Sequence, residues 1–254
     1  MRFSEMSSPE IGEAAKGNAL VLLPVGQTEE HGPHLPAGTD AMISDELASR
    51  IEKALDAEIP VVVMDTVRYG YSVKKVANWP GTIRLSHETV TNLLREVCGS
   101  LAEMGFRKIA IINSHGNHPG LLEMVSRRVG DEHGVDVPVL DVGGLVADAI
   151  KRYAEGGEGA CCHACEMETS IMLRVRPDLV RTDLCPTGER VRVKSPVSGG
   201  VFWSTWWRQK SRTGVYGEPK AASADKGEKF IQAIVEKACV FLRAYYAHPG
   251  PQVA

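Results

Sequence analysis

Five side chains that can hold a metal ion or move a proton, Glu29, Glu30, His31, His34 and Asp40, fall within twelve residues. They are interleaved with Gly26, Gly32, Pro33, Pro36 and Gly38, residues that fix a turning backbone and do not suit a helix. In extended backbone, side chains two apart point the same way. Glu29 and His31 therefore face one locus and Glu30 faces away from it. Asp40 returns nine residues after His31, and its two carboxylate oxygens can bridge two cations. Carboxylate plus imidazole suits Zn²⁺, Mn²⁺ or Fe²⁺. One such residue alone would read as a solvated loop charge, or as an Asp capping a helix that starts near Ala41. The combination in a Pro/Gly frame reads as a metal site.

Two more polar clusters lie further along. Asn113-Ser114-His115-Gly116-Asn117-His118 follows an apolar run, and Cys161-Cys162-His163-Ala164-Cys165-Glu166-Met167-Glu168-Thr169-Ser170 precedes Ile171-Met172-Leu173. Cys162 and Cys165 have redox-motif spacing but lack the strand-then-CxxC context. A structural zinc would need four ligands, and no second pair stands out. Cys161, Cys162 and Cys165 are left as small residues packed near a site, with thiols open to oxidation.

Something must carry these clusters to one place. Ala19 to Leu23 is an apolar run of strand length that empties into the first cluster. Lys108 to Ile112, continuous and apolar after its lysine, empties into the second and reads as a strand covered on both faces. Ile59 to Met64 and Val137 to Val142 are further strands. Helices are predicted over Ser44–Ala57, Ser86–Met104 with Ser86 as cap, Leu121–Gly130, a short run through Tyr153, and Ala222–Tyr246. Ser8-Pro9-Glu10 is another helix start. Glu168 opens a helix near its positive N-terminal end. Strands and helices alternate without repeats or a dividing linker. The expectation is an α/β fold in a single domain over 1–254, a mostly parallel sheet with helices on both faces. In such a sheet the strand C-termini line one edge, where sites form. The 68–83 connection carries Tyr69, Tyr71 and Trp79 and could wall a pocket or pack over the sheet edge. Trp203, Trp206 and Trp207 fall within five residues, as a lid, pocket wall or oligomer contact.

Glu29-Glu30-His31-Gly32-Pro33-His34-Leu35-Pro36, with Thr39-Asp40 behind it, resembles the signature of the creatininase (creatinine amidohydrolase) family. Asn113-Ser114-His115-Gly116 resembles that family's Asn-Gly-His-Gly element. His163-Ala164-Cys165-Glu166-Met167-Glu168-Thr169-Ser170 resembles its His-Ala-Gly-Glu-x-Glu-Thr-Ser element. Tyr69-Gly70-Tyr71, Pro80-Gly81-Thr82 and Gly214-Val215-Tyr216-Gly217-Glu218-Pro219 match as well, so the resemblance runs from Leu22 to about Glu228 and favours a pocket role for Tyr71 and Trp79. It implies a three-layer α/β/α hydrolase with two divalent metal ions, zinc first and manganese or iron as alternatives. Asp40 bridges them, Glu29 and His115 complete one site, and His31 and Glu168 complete the other. Such ions lower the pKa of a shared water. His163 is the implied catalytic histidine, read as the acid that protonates the leaving nitrogen. Glu30, His34, Asn117 and Glu166 are candidates for the supporting shell or pocket. A ring-like homo-hexamer is also implied.

The chain departs from the pattern at Ser114 and Cys165, both in place of glycine. Gly116-Asn117 stands where creatininase has Tyr-Glu, and Gly159-Ala160 where it has Trp-Asp. The expected substrate is therefore a small cyclic amide other than an assumed creatinine, with a formamide or short peptide as the alternative. A metal-binding protein without turnover is the competing class.

Composition bounds the rest. The 254 residues carry 43% hydrophobic and 24% charged side chains at net charge −3, enough for a full core. No basic tract suggests nucleic acid or an anionic membrane. No apolar run reaches bilayer length, and Met1-Arg2-Phe3-Ser4-Glu5 is not a signal-peptide start. Six cysteines are too few for a disulfide scaffold, so a reducing cytoplasm is the expected compartment.

Overall fold

A computed structural model describes residues 1–74, 79–157, 159–190 and 210–249. The run 191–194, the cluster Trp203, Trp206 and Trp207, and the segment after residue 249 lie outside the described residues. Four strands, β1 (Leu20–Val25), β2 (Val61–Val63), β3 (Lys108–Asn113) and β4 (Val139–Asp141), form one parallel sheet in the order β2-β1-β3-β4. The helices are α1 (Ser8–Lys16), α2 (Thr39–Leu55), α3 (His87–Glu103), α4 (Pro119–His133), α5 (Val142–Tyr153), α6 (Glu166–Val175) and α7 (Ala224–Ala247). This is the expected α/β architecture.

Alternation along the strands builds two cores. On β1, Leu20 and Leu22 join a cluster with α2, α5, α6 and α7. Val21, Leu23 and Val25 join the opposite cluster with α1, α3 and α4. On β3, Ala110 and Ile112 take the first face and Ile109 and Ile111 the second. All six residues of β1 and of β3 are buried, as a continuous apolar run requires when helices cover both faces. Emptying such a position, Leu22→Ala for example, costs about 2–5 kcal/mol.

The strand order locates the site. From β1 the chain passes through α2 to β2 on one side, then through α3 back across β1 to β3 on the other. The C-terminal ends of β1 and β3 are therefore neighbours, with Val25 in register with Asn113. Their outgoing loops diverge from a topological switch point, the usual place for a site in an open α/β sheet.

Several predicted boundaries shift. Helix α2 begins at Thr39, not Ser44, so Asp40 sits in its first turn. The start escaped notice because the apolar spacing of Leu47, Ile51 and Leu55 marks only the later turns. Strand β2 covers Val61–Val63 alone, and β4 ends at Asp141, whose side chain accepts from Gly144 N–H and caps α5 at once. Ser86 caps α3 as expected. The Gly-rich stretch read as a turn into the last helix contains β6 (Tyr216–Gly217), which pairs antiparallel with β5 (Cys161–His163) in a second, two-stranded sheet. Two residues of strand are too few for any period to declare itself.

Candidate metal centre

The loop after β1, the start of α2, the loop after β3 and the β5–α6 junction converge. Gly26 makes the first approach possible: a Cβ there would lie 2.4 Å from the backbone nitrogen of Ala41. Ser114 ties the second loop to the first, donating to the Asp40 carbonyl at 2.6 Å and meeting the Ser44 hydroxyl at 2.6 Å. Ala164, between β5 and α6, is held at φ +51.

Two groups of three buried side chains result, Glu29–Asp40–His115 and His31–Asp40–Glu168, each with its ligand atoms within 4.8 Å of one another. Asp40 belongs to both. His115 Nδ1 lies 2.8 Å from Asp40 Oδ2 and 3.4 Å from Glu29 Oε2. His31 Nε2 lies 3.2 Å from Asp40 Oδ1. Hydrogen bonds assign the ring nitrogens. His31 donates Nδ1–H to the Glu29 carbonyl at 3.0 Å, which leaves Nε2 toward Asp40. His115 donates Nε2–H to the Tyr71 carbonyl at 3.1 Å, which leaves Nδ1 toward Asp40 and Glu29. Anchoring the far nitrogen on a backbone carbonyl is how proteins orient a metal-ligating imidazole.

His163 stands beside this pair, its ring centroid 4.5 Å from that of His31. Its Nε2–H donates to the Glu30 carbonyl at 2.8 Å and lies 3.3 Å from Glu30 Oε1. Its Nδ1 points toward Glu29 Oε2 at 3.8 Å. Glu30 thus faces the opposite way from Glu29 and His31, accepts from Gly32 N–H, and backs the ring of His163. His34 is buried behind, bonded to Thr169 Oγ1 at 3.0 Å.

The electrostatics are those of a cation cage. Burial opposes a charge on His31, but the carboxylates of Asp40, Glu168 and Glu29 outweigh it and push the imidazole up to about 10. Burial likewise opposes His115, and Glu29 and Asp40 raise it to about 9. Asp40 meets a desolvation penalty, yet the imidazoles of His31 and His115 hold it well below the usual carboxylate range. His34 goes the other way: burial and the neighbouring His31 and His163 push it down to about 4. Glu29 Oε1, Glu30 Oε1, His31 Nε2, His34 Nδ1 and Asp40 Oδ2 are buried without a hydrogen-bond partner. Buried polar atoms are rarely left so. A concentration of them on carboxylates and imidazoles fits divalent cations as the missing partners.

A cavity of about 30 Å³ opens onto the cluster, lined by Glu29, Asp40, His115, Gly116, Asn117, Cys162, His163 and Glu168. Two wider clefts, of about 420 and 400 Å³, lie elsewhere and hold no such constellation. Of the other anticipated residues, Asn117 reaches this cavity, its Nδ2 3.4 Å from His115 Nε2. The side chains of Tyr71 and Trp79 do not line it; Tyr71 contributes its backbone. Glu166 turns away, bound to Lys226 Nζ at 2.7 Å. Spacing gave no hint of Gln27, His118 or Lys226, whose roles rest on partners distant in the chain. Cys162 lines the cavity, while Cys165 heads α6, its N–H donating to Glu168 Oε2.

Residues 4–242 match the family model described as "Creatininase: Creatinine amidohydrolase". The mycofactocin precursor peptide peptidase of Mycobacterium tuberculosis (strain ATCC 25618 / H37Rv) is 31% identical, over 91% of this chain and 88% of the relative. The creatinine amidohydrolase of Pseudomonas putida is 28% identical over 87% and 88% respectively. The solved structure named "Creatininase Mn" superposes with a TM-score of 0.81 at 26% identity, covering 97% of this chain and 99% of that one.

Proposed function

The chain belongs to the creatininase family, and from that premise we propose that it is a binuclear metal-dependent amidohydrolase, one domain over 1–254, that cleaves a C–N amide bond. The observation that carries the reading is the sharing of Asp40 by two buried ligand groups, Glu29–His115 and His31–Glu168. Zinc is the first choice of ion, with manganese or iron next. Bound there, two divalent ions would supply an activated water at neutral pH and polarise a carbonyl oxygen.

The chain's own groups do the rest. His163 has its Nε2–H committed to the Glu30 carbonyl, so Nδ1 is the atom that exchanges a proton inside the cavity. A proton delivered from Nδ1 to the departing nitrogen lets it leave as an amine, a task of general acid catalysis worth about 10²–10⁴-fold. Glu30, beside Nε2, stabilises the ring while it carries that proton. Burial of His163 keeps bulk water from the transfer.

A small cyclic amide is the first substrate class. The cavity is lined by Glu29, Asp40, His115, Glu168, Asn117 and His163, so the scissile amide is the part of the substrate that belongs there. A short peptide is the second reading, favoured by the 31% identity to a precursor-peptide peptidase. A soluble homo-oligomer in the cytoplasm is the setting proposed.

The test is metal content per chain after purification without added metal, for wild type and Asp40→Ala together. About two ions in wild type and almost none in the variant is the expected result. One ion that survives the substitution would rule the shared carboxylate out. A screen of lactams against short peptides then separates the two substrate classes.

A further inference from the structure

Behind His115 lies a closed ring of hydrogen bonds that fixes every participant's role. Asn113 Nδ2 donates to Asp141 Oδ1 and to the His115 carbonyl, both at 2.9 Å. Its Oδ1 is therefore an acceptor, and it takes His115 N–H at 3.3 Å and His118 Nδ1–H at 3.2 Å. A neutral imidazole that donates from Nδ1 must accept at Nε2. Tyr71 N–H donates there at 3.1 Å. The carbonyl of Tyr71 then accepts from His115 Nε2–H, and the circuit closes on the histidine where it began.

The local packing preserves this circuit. His118 is fully buried, its ring edge-on to His115 with centroids 4.6 Å apart. A Cβ on Gly70 would lie 2.3 Å from His118 Nε2, so only glycine lets the ring reach the Tyr71 peptide. Gln27 braces the same peptides from the other side, accepting Gly70 N–H at 2.7 Å and donating to Ser72 Oγ at 2.6 Å. The 70–72 backbone is thus clamped between the loop after β1 and the start of α4.

We infer that His118 is a positioning residue for the ion held by Glu29, Asp40 and His115. It acts through the Tyr71 peptide, which anchors His115 Nε2 and so presents Nδ1 to the ion. The inference rests on the two-ion reading above. It predicts an asymmetry, because the hydrogen bonds and ring contact of His118 lead to Tyr71, Asn113 and His115, on the side of the first group.

The experiment is stepwise Zn²⁺ affinity, measured by competition with a chromophoric chelator, for wild type, His118→Leu and His118→Gln. Thermal melts of the metal-free proteins check the fold. His118→Leu should keep one ion at wild-type affinity and weaken the other by about 10–100-fold. His118→Gln, whose amide oxygen can replace Nε2 as the acceptor, should recover most of that loss. If the leucine variant does not fold, His118→Asn carries the test: it retains a donor for Asn113, lacks reach to Tyr71, and should show the same one-site weakening. Two ions at wild-type affinity, or equal weakening of both, would overturn the inference. Fewer than two ions in wild type would remove the reading beneath it instead.

Discussion

Glu166 and Glu168 stand two residues apart on the first turn of α6, both buried, and they have opposite fates. Glu166 accepts from Glu155 N–H, from Gly156 N–H at 2.8 Å and from Lys226 Nζ at 2.7 Å. Lys226 in turn donates to the Ala221 carbonyl and pairs with Glu155. That charge is finished within the chain. Glu168 takes a hydrogen bond from Cys165 N–H and otherwise turns toward His31 and Asp40, where partnerless atoms collect. The lesson concerns completion: a buried carboxylate with a full set of donors holds the fold, and one that faces imidazoles and other carboxylates has the surroundings of a metal ligand.

The widest separation between the two regions should come from His163→Ala. Turnover should fall by about 10²–10⁴-fold while both ions stay bound, as read by metal analysis beside a rate assay. Loss of metal along with rate would move His163 into the ligand set. Glu166→Ala is the converse. Lys226 would keep Glu155 and the Ala221 carbonyl, but the N–H groups of Glu155 and Gly156 would lose their acceptor, at a cost of about 1–3 kcal/mol. A denaturant melt should show that loss with the metal affinity of the folded protein intact.

pH should separate the regions next. His31 and His115 are raised to about 10 and about 9 when no metal is bound, above an unfolded value of about 6.5. Their stabilising contribution is complete below about 6.5 and disappears as pH rises through 9 and 10. The metal-free protein should therefore lose stability between pH 7 and 10, and the loaded protein should not. Metal binding displaces the same protons, so loading at neutral pH should release about two per chain into weak buffer. No release would mean that the carboxylates are balanced by something other than these imidazoles. The smallest effect expected is for Ser114→Gly, which deletes the hydroxyl between Asp40 and Ser44. About 1 kcal/mol of stability should go, the net worth of a typical hydrogen bond, with both ions retained.

Much of this was legible in the chain. Continuous apolar runs announced β1 and β3, and helical spacing announced α3 and the later turns of α2. The first two polar clusters could be read as site loops because each follows an apolar run of strand length, while the grouping of Glu29, His31, Asp40, His115 and Glu168 came from the family resemblance. Glu166 could not be told from Glu168 by spacing. What distinguishes them is Lys226, 60 residues on, and no local pattern encodes a partner that far away. His118 was hidden for the same reason, since its role depends on a peptide 47 residues earlier. Strand β6 was illegible because its register exists only against β5.

The strand order also has a consequence for how the protein is made. By the time the ribosome has released Asp141, all four strands of the main sheet and the complete Glu29–Asp40–His115 group exist. The second group waits for Glu168, and α2, which covers the sheet face formed by Leu20 and Leu22, keeps its own outer side uncovered until α7 follows. At a synthesis rate of roughly 5–20 residues per second, the nascent chain spends seconds with one of the two candidate ligand groups complete and the α7-facing side of α2 uncovered. An ion captured in that interval would meet Glu29, Asp40 and His115 before the carboxylate that distinguishes the second position has emerged and folded into place.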